Sequence, residues 1–179
     1  MMSYVRRALQ DRRASVAAEF VLLIPVLITL FLGITEAANA IILYMKLIDA
    51  ADTVSDLVAQ YSTVASADLD NIYIAGQLVM EPSPGNGLGL AIASVTFDPV
   101  SGNPSVAWQV TRGGAPAMAD AAAAAIGLGN PGDSIIEATA SYTYTSLFRF
   151  VLPNAITMST RVFSRPRNVS AVFCTAPCT

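Results

Sequence analysis

Glu19 is the residue whose surroundings point most directly to chemistry. It follows the pair Arg12-Arg13 and stands directly before Phe20 to Thr35, a stretch without a single charge. An ionised carboxylate inside a bilayer costs about 2.5–3.5 kcal/mol on insertion scales, so an acid at the head of an apolar helix is a functional candidate by default. Its natural counter-ion is an amine. If the chain is cut after Ala14, Ser15 carries a new α-ammonium, and Glu19 stands four residues on, one helical turn away and near the positive end of the helix. In lipid the two charges neutralise each other, within one chain or between neighbours. Glu19 of one subunit meeting the Ser15 amine of the next would set the axial stagger of bundled helices. The plainer reading is a polar residue at the membrane interface.

Glu36 is a second acid among apolar residues. It falls near the outer membrane–water boundary, where exposure to headgroups is the first expectation. Contact with a partner helix inside the membrane is the second.

Catalysis has little support elsewhere. The chain has no histidine, which removes any Ser-His-Asp arrangement. Asp98, Asp120, Asp133 and Glu137 are scattered and read as turn and surface acids. Gly85-x-Gly87-x-Gly89 precedes a strand and does not open a helix, so it is not a dinucleotide fingerprint. The two cysteines, Cys174 and Cys178, read as a small disulfide loop in an oxidising compartment, with free thiols as the alternative. Two thiolates without a histidine or a second pair do not complete a tetrahedral zinc site. No metal, cofactor or small-molecule substrate is expected.

These residues need elements to hold them. The 179-residue chain is 54% hydrophobic and 13% charged, where an average soluble protein is roughly 25% charged, so the apolar excess must be housed. About 20 apolar residues span a bilayer, and Val16 to about Ile34 suffices if Glu19 sits near the interface. The first 14 residues carry Arg6, Arg7, Arg12 and Arg13 against Asp11, a net of +3. The rest has 6 basic and 12 acidic residues, a net of −6. The positive-inside rule then places the N-terminus in the cytoplasm and the bulk of the chain across the membrane. An acidic exterior domain is a poor partner for nucleic acid.

Beyond the span, Ile41, Met45, Ile48, Ala51, Val54, Val58 and Tyr61 recur at helical spacing, which predicts one helix over 16–62, kinked at Pro25. Ser66 and Asp68 cap a second helix to about Met80. Then the period becomes two. Strands are expected over 90–97, around Val106, Trp108 and Val110, over 135–145, and around Ile156, Met158 and Val162. In the third, Ile136, Ala138, Ala140, Tyr142 and Tyr144 should be buried, with Glu137, Thr139, Ser141, Thr143 and Thr145 wet. Pro116 to Ile126 reads as a short alanine-rich helix. The fold class is α+β: a long N-terminal helix, membrane-spanning in its first half, packed on a small antiparallel sheet. The expected divisions are a basic head over 1–14, a transmembrane helix over 15–45 and a periplasmic domain over 46–179.

Arg12-Arg13, Glu19-Phe20, the apolar run with Pro25, and Leu32-Gly33-Ile34-Thr35-Glu36 resemble the TadE/TadG-like proteins of tight-adherence (type IVc) pilus systems. Tyr142-x-Tyr144-x-Ser146-Leu147-Phe148, Ile156-Thr157-Met158-Ser159 and Ser164-Arg165-Pro166-Arg167 are similar to that family's closing strands. The resemblance implies a pilin-like fold and a minor pilin or pseudopilin, held in the inner membrane. Its implied partners are a prepilin peptidase, other pilus subunits and the secretion platform. It maps Glu19 onto the family's acid five residues after the cleavage point, between Ala14 and Ser15, and Phe20 onto the aromatic that follows. The family's usual glycine before the cut is Ala14 here. The alternatives are an unprocessed membrane-anchored protein of the same architecture, and a secreted domain released after Ala38-Asn39-Ala40.

Overall fold

The computed structural model describes residues 12–146, 148, 154–175 and 178, and for residues 12–15, 17 and 18 the backbone alone. The expectations that fall on residues 1–11 and on Leu147 lie outside the described residues. Two compact units are distinguished: Met1–Ala40 with Ser146–Asn154, and Ile41–Thr145 with Ala155–Thr179.

Helix α1, Arg12–Gln60, runs through both units and continues past Pro25. Proline removes one backbone donor from the helix. One turn on, the Thr29 hydroxyl donates to the Pro25 carbonyl at 2.7 Å.

In the second unit, β1 (Thr63–Val64) and α2 (Ser66–Val79) follow α1. A 3-10 turn at Gly85–Gly87 leads into β2 (Leu88–Phe97), and β3 is Pro104–Arg112. The single turn α3 is Ala121–Ala124, β4 is Ser134–Tyr144, β5 is Ile156–Ser164 and β6 is Phe173–Cys174. The main sheet has the order β3-β2-β4-β5 and is antiparallel throughout. The α+β class and all four expected strands are present.

Cross-strand partners share a face. Leu90 and Ile92 of β2 pair with Ala140 and Ala138 of β4, and this face receives α1, whose Ser55 hydroxyl meets that of Ser164. The stripe α1 buries there is Leu43, Leu47, Ala50, Ala51, Val54, Val58 and Ala59. That corrects the sequence stripe at both ends, since Ile41, Met45 and Tyr61 are exposed and the helix stops at Gln60. The helix is apolar on several faces over 41–47, so periodicity alone does not choose between them. Helix α2 lies against α1 at Gly76, where an added Cβ would come within 2.9 Å of Val54 Cγ2. Helix α2 buries Leu69, Ile72 and Gly76.

Two further corrections concern the other face of the sheet. A bulge at Ser94/Val95 pairs Ser94 with Trp108 but Val95 with Val106. The extra residue sends Val106 to the face opposite Trp108, breaking the alternation the sequence implied. The same face is not simply wet. Ala91, Ala93, Val95, Phe97 and Ile135 form a second small core with Met118, Ala121 and Ala125. The alanine-rich stretch that makes this cover is helical for one turn only, and Gly127 follows at φ +82°. Beneath it Glu137, expected on the solvent side, has no exposed surface.

Strands β1 and β6 form a separate two-stranded parallel sheet that ties the C-terminal tail to the end of α1. Phe173 N–H donates to Ser62 O at 3.1 Å and Thr175 N–H to Val64 O at 2.9 Å. Trp108 Nε1 donates to Val172 O at 2.8 Å, fastening β3 to the same tail.

Candidate functional site: an acid-bearing membrane helix

The first part of α1 carries its apolar side chains outward. Phe20 is 60% exposed, and Val21, Leu22, Leu27, Leu30 and Phe31 are each more than half exposed. An uninterrupted surface of this kind is costly in water and matches lipid. Among the described residues α1 is the one helix long and apolar enough to cross a membrane, over the 42 residues from Glu19 to Gln60.

Glu19 and Phe20 are both exposed on this helix. The backbone is helical through Ala14 and Ser15. Their side chains lie outside the described residues.

Glu36 comes seventeen residues after Glu19, which is about 26 Å along the axis at 1.5 Å per residue. That is close to the roughly 30 Å of a hydrocarbon core. The side chain is only 4% exposed. Its Oε1 accepts the Phe148 N–H at 2.8 Å, and Ser146 Oγ lies 3.0 Å from the same nitrogen. The expectation of a headgroup-exposed carboxylate is thus corrected. An acid at this depth keeps its charge at lower cost when a donor of its own chain satisfies it. Phe148 as the partner of Glu36 was not visible in the sequence, because 112 residues separate the two.

The remaining expected residues fall in the second unit. Asp98, Asp133 and Asp120 are turn or loop acids, as read. Hydrogen bonds from Ser101 N–H and hydroxyl and from Val100 N–H hold the Asp98 carboxyl below its usual range. The Asn130 N–H does the same for Asp133. Asp120 is held down by Arg161, which grips both its oxygens. Cys174 and Cys178 are joined in a disulfide, with Cα atoms 6.2 Å apart, which settles the choice left open between disulfide and free thiols. Among the described residues no cluster of three or more His, Cys, Asp or Glu side chains is arranged to hold a metal ion.

One apolar helix of membrane-spanning length followed by a small α+β domain is consistent with single-pass membrane anchoring. Residues 14–56 match the model of a protein family described as TadE-like protein. The match takes in Ala14, Ser15, Glu19, Phe20 and Glu36 and ends within α1, four residues before Gln60. The strands after 135, which the sequence also likened to this family, lie outside it. No curated protein and no solved structure matches the chain. A TadE-like segment borne on a candidate membrane helix fits a component of a Tad pilus.

Proposed function

We propose that the protein is a minor pilin-like subunit (a pseudopilin) needed to assemble a tight-adherence type IVc pilus. In this reading it sits in the bacterial inner membrane with its basic head in the cytoplasm and its α+β domain in the periplasm. A prepilin peptidase cuts it after Ala14. Its further partners are other pilus subunits and the secretion platform, and it has no catalytic role of its own.

The observation that carries the reading is the position of Glu19 relative to Ser15 within the TadE-like segment. Cutting after Ala14 makes Ser15 the first residue of the helix, and Glu19 then stands four residues on, one turn from the new N-terminus. A carboxylate there complements both the new ammonium and the helix dipole. In a bilayer neither charge has water to turn to, so the pair becomes a specific contact in a surface that is otherwise uniformly apolar.

The test is the N-terminal residue of the protein in the membrane fraction, by intact mass and terminal peptide mapping. Ser15 is the expected start. A start at Met1 or Met2 overturns processing and makes the protein a permanent anchor. A start at Ile41 makes it a secreted domain.

A further inference from the structure

We propose that the segment between Gly114 and Gly127 is a lid on the sheet that opens as pH rises, with Glu137 beneath it as the trigger and the Arg161–Asp120 ion pair as the latch. The device lies wholly in the second unit and does not depend on α1 spanning a membrane.

The segment is hinged at both ends and weakly packed between them. Gly114 and Gly127 stand at φ +74° and +82°, and an added Cβ at either would meet nothing within 4 Å. These glycines therefore serve backbone freedom and not close packing, which is what a hinge needs. Outside them the chain is fixed. Gly113 has no room for a side chain against the Leu88 carbonyl, and Arg165 Nη2 donates to Leu128 O at 3.0 Å. Inside them the buried residues are Met118, Ala121 and Ala125, set against Ala91, Ala93, Val95, Phe97 and Ile135. Burial stabilises in proportion to apolar area, and alanines bring little of it.

Polar tethers complete the closure. Arg161 donates to both Asp120 oxygens, and Thr139 Oγ1 donates to Met118 Sδ at 3.1 Å. The Gln109 carboxamide lies 3.0 Å from both the N–H and the C=O of Met118. Glu137 sits under this closure with no exposed surface. Its Oε1 is 3.1 Å from Arg161 Nε, yet neither oxygen has a hydrogen bond of good geometry. A carboxylate sealed in this way is costly only while it is ionised. Lifting the lid lets water reach it. Protonation removes that incentive and leaves Arg161 to Asp120 alone, which tightens the latch.

The direction of the response follows from the same burial. Closure raises the Glu137 carboxyl above its ordinary value of 4.5 through loss of water, with Arg161 opposing the rise and Asp120 adding to it. The closed lid therefore binds the proton more tightly than the open one, and the open fraction grows as pH rises through the Glu137 value. The surrounding charges stay constant meanwhile. Arg161 remains a cation, and its hydrogen bonds hold the Asp120 carboxyl below the usual range. Asp120 is the only titratable residue between Gly114 and Gly127, β2 has none, and β5 has no charge besides Arg161.

The test is methionine oxidation by hydrogen peroxide in the full-length protein in detergent, read by peptide mass at pH 4 and pH 7. A thioether has no proton to lose, so its conversion to sulfoxide reports access. Met118 is 8% exposed under the lid, Met45 is 59% exposed, and Met80 is fully buried at the end of α2. Relative to Met45, Met118 should oxidise several-fold faster at pH 7 than at pH 4, with Met80 unchanged. Glu137→Gln should abolish that step and keep Met118 slow at both values. Asp120→Asn, made at an exposed position, should speed Met118 at pH 4. A Met118 rate that is flat with pH in the parent overturns the proposal, and so does an equal step in Glu137→Gln. Met80 rising in proportion to Met118 also overturns it, because the protein then opens as a whole. An unchanged Met118 rate in Asp120→Asn overturns the latch.

Discussion

Oε1 of Glu137 lies 3.1 Å from Nε of Arg161, and the same guanidinium holds the two Asp120 oxygens at 2.9 and 3.1 Å. One cation on β5 thus bridges a carboxylate sealed against the sheet and another on the cover above it. Both Glu137 oxygens lack a hydrogen-bond partner of good geometry, so Arg161 is the main compensation for their burial. Thr139 Oγ1, beside the site, donates to Met118 Sδ at 3.1 Å, fixing the cover independently of the ion pair.

Removing the cation should therefore cost far more than removing the buried acid. Arg161→Ala strands Glu137, and breaking a buried pair from one side costs about 3–5 kcal/mol. Glu137→Gln nearly conserves volume and leaves Arg161 with Asp120, so its expected cost at neutral pH is near zero or negative. Thermal melts of both variants in detergent, followed by circular dichroism, compare them directly. Equal losses in the two would contradict this account.

The pH dependence follows from the same geometry. Burial pushes the Glu137 carboxyl above its ordinary value of 4.5, and Asp120 adds to the rise while Arg161 opposes it. A raised folded-state value means the folded protein binds this proton more tightly. The stability it contributes is present below 4.5 and is lost as pH rises through the folded value. The difference in stability between Glu137→Gln and the parent should therefore move in favour of the variant between pH 4 and pH 7. A difference that is flat across that window would show that Glu137 does not carry the effect.

Glu36→Ala should loosen the Ser146–Phe148 stretch without unfolding the sheet. A hydrogen bond to a charged acceptor contributes about 1.5–3 kcal/mol, and Ser146 Oγ remains as a weaker acceptor at 3.0 Å. Hydrogen exchange at the Phe148 amide should accelerate by about tenfold or more, the equivalent of 1.4 kcal/mol. Amides of β2 and β4 should keep their protection.

Cys174→Ser with Cys178→Ser should leave the main sheet folded. The ring closed by this disulfide is so small that loop entropy assigns it about 2 kcal/mol. Its loss should be read locally, as faster exchange at Phe173 and Thr175, whose N–H groups bond Ser62 and Val64. Trypsin or elastase should then trim the tail of the double variant sooner than that of the parent.

The periodic parts of this fold were legible in the sequence. The four main strands came from their alternation of residue type, and α2 from Asp68, which accepts the Ala65 N–H at its start. The α1 stripe was misplaced at its start because Ile41, Ile42, Tyr44 and Met45 are as apolar as Leu43 and Leu47. The bulge that turns Val106 over leaves no mark in residue type. Glu137 was read as solvent-facing because strict alternation put it opposite Ile136. What defeats that rule is a cover too short to announce itself, one helical turn of alanines. Such a cover was nonetheless signalled, since Ala121 to Ala125 offers no polar side chain to water. Of the site residues, the cysteine pair was readable from its spacing, whereas the Glu36–Phe148 contact depends on tertiary structure.

Glu19→Ala is the decisive variant for the proposed function. Glu19 is exposed on α1, so its loss removes no packing. An alanine also makes the span more apolar, so membrane insertion should be intact or improved. What disappears is the only carboxylate between Arg13 and Thr35, and with it the partner for a Ser15 ammonium. Cells carrying Glu19→Ala should hold normal amounts of the protein in the membrane fraction and show no pili by electron microscopy. Glu19→Asp shortens the reach while keeping the charge and should restore pili in part. Normal pili in Glu19→Ala cells would sink the pairing, since nothing else near the head of α1 supplies that charge. Loss of the protein from the membrane would also contradict the account, because it would make Glu19 a residue of insertion and not of assembly.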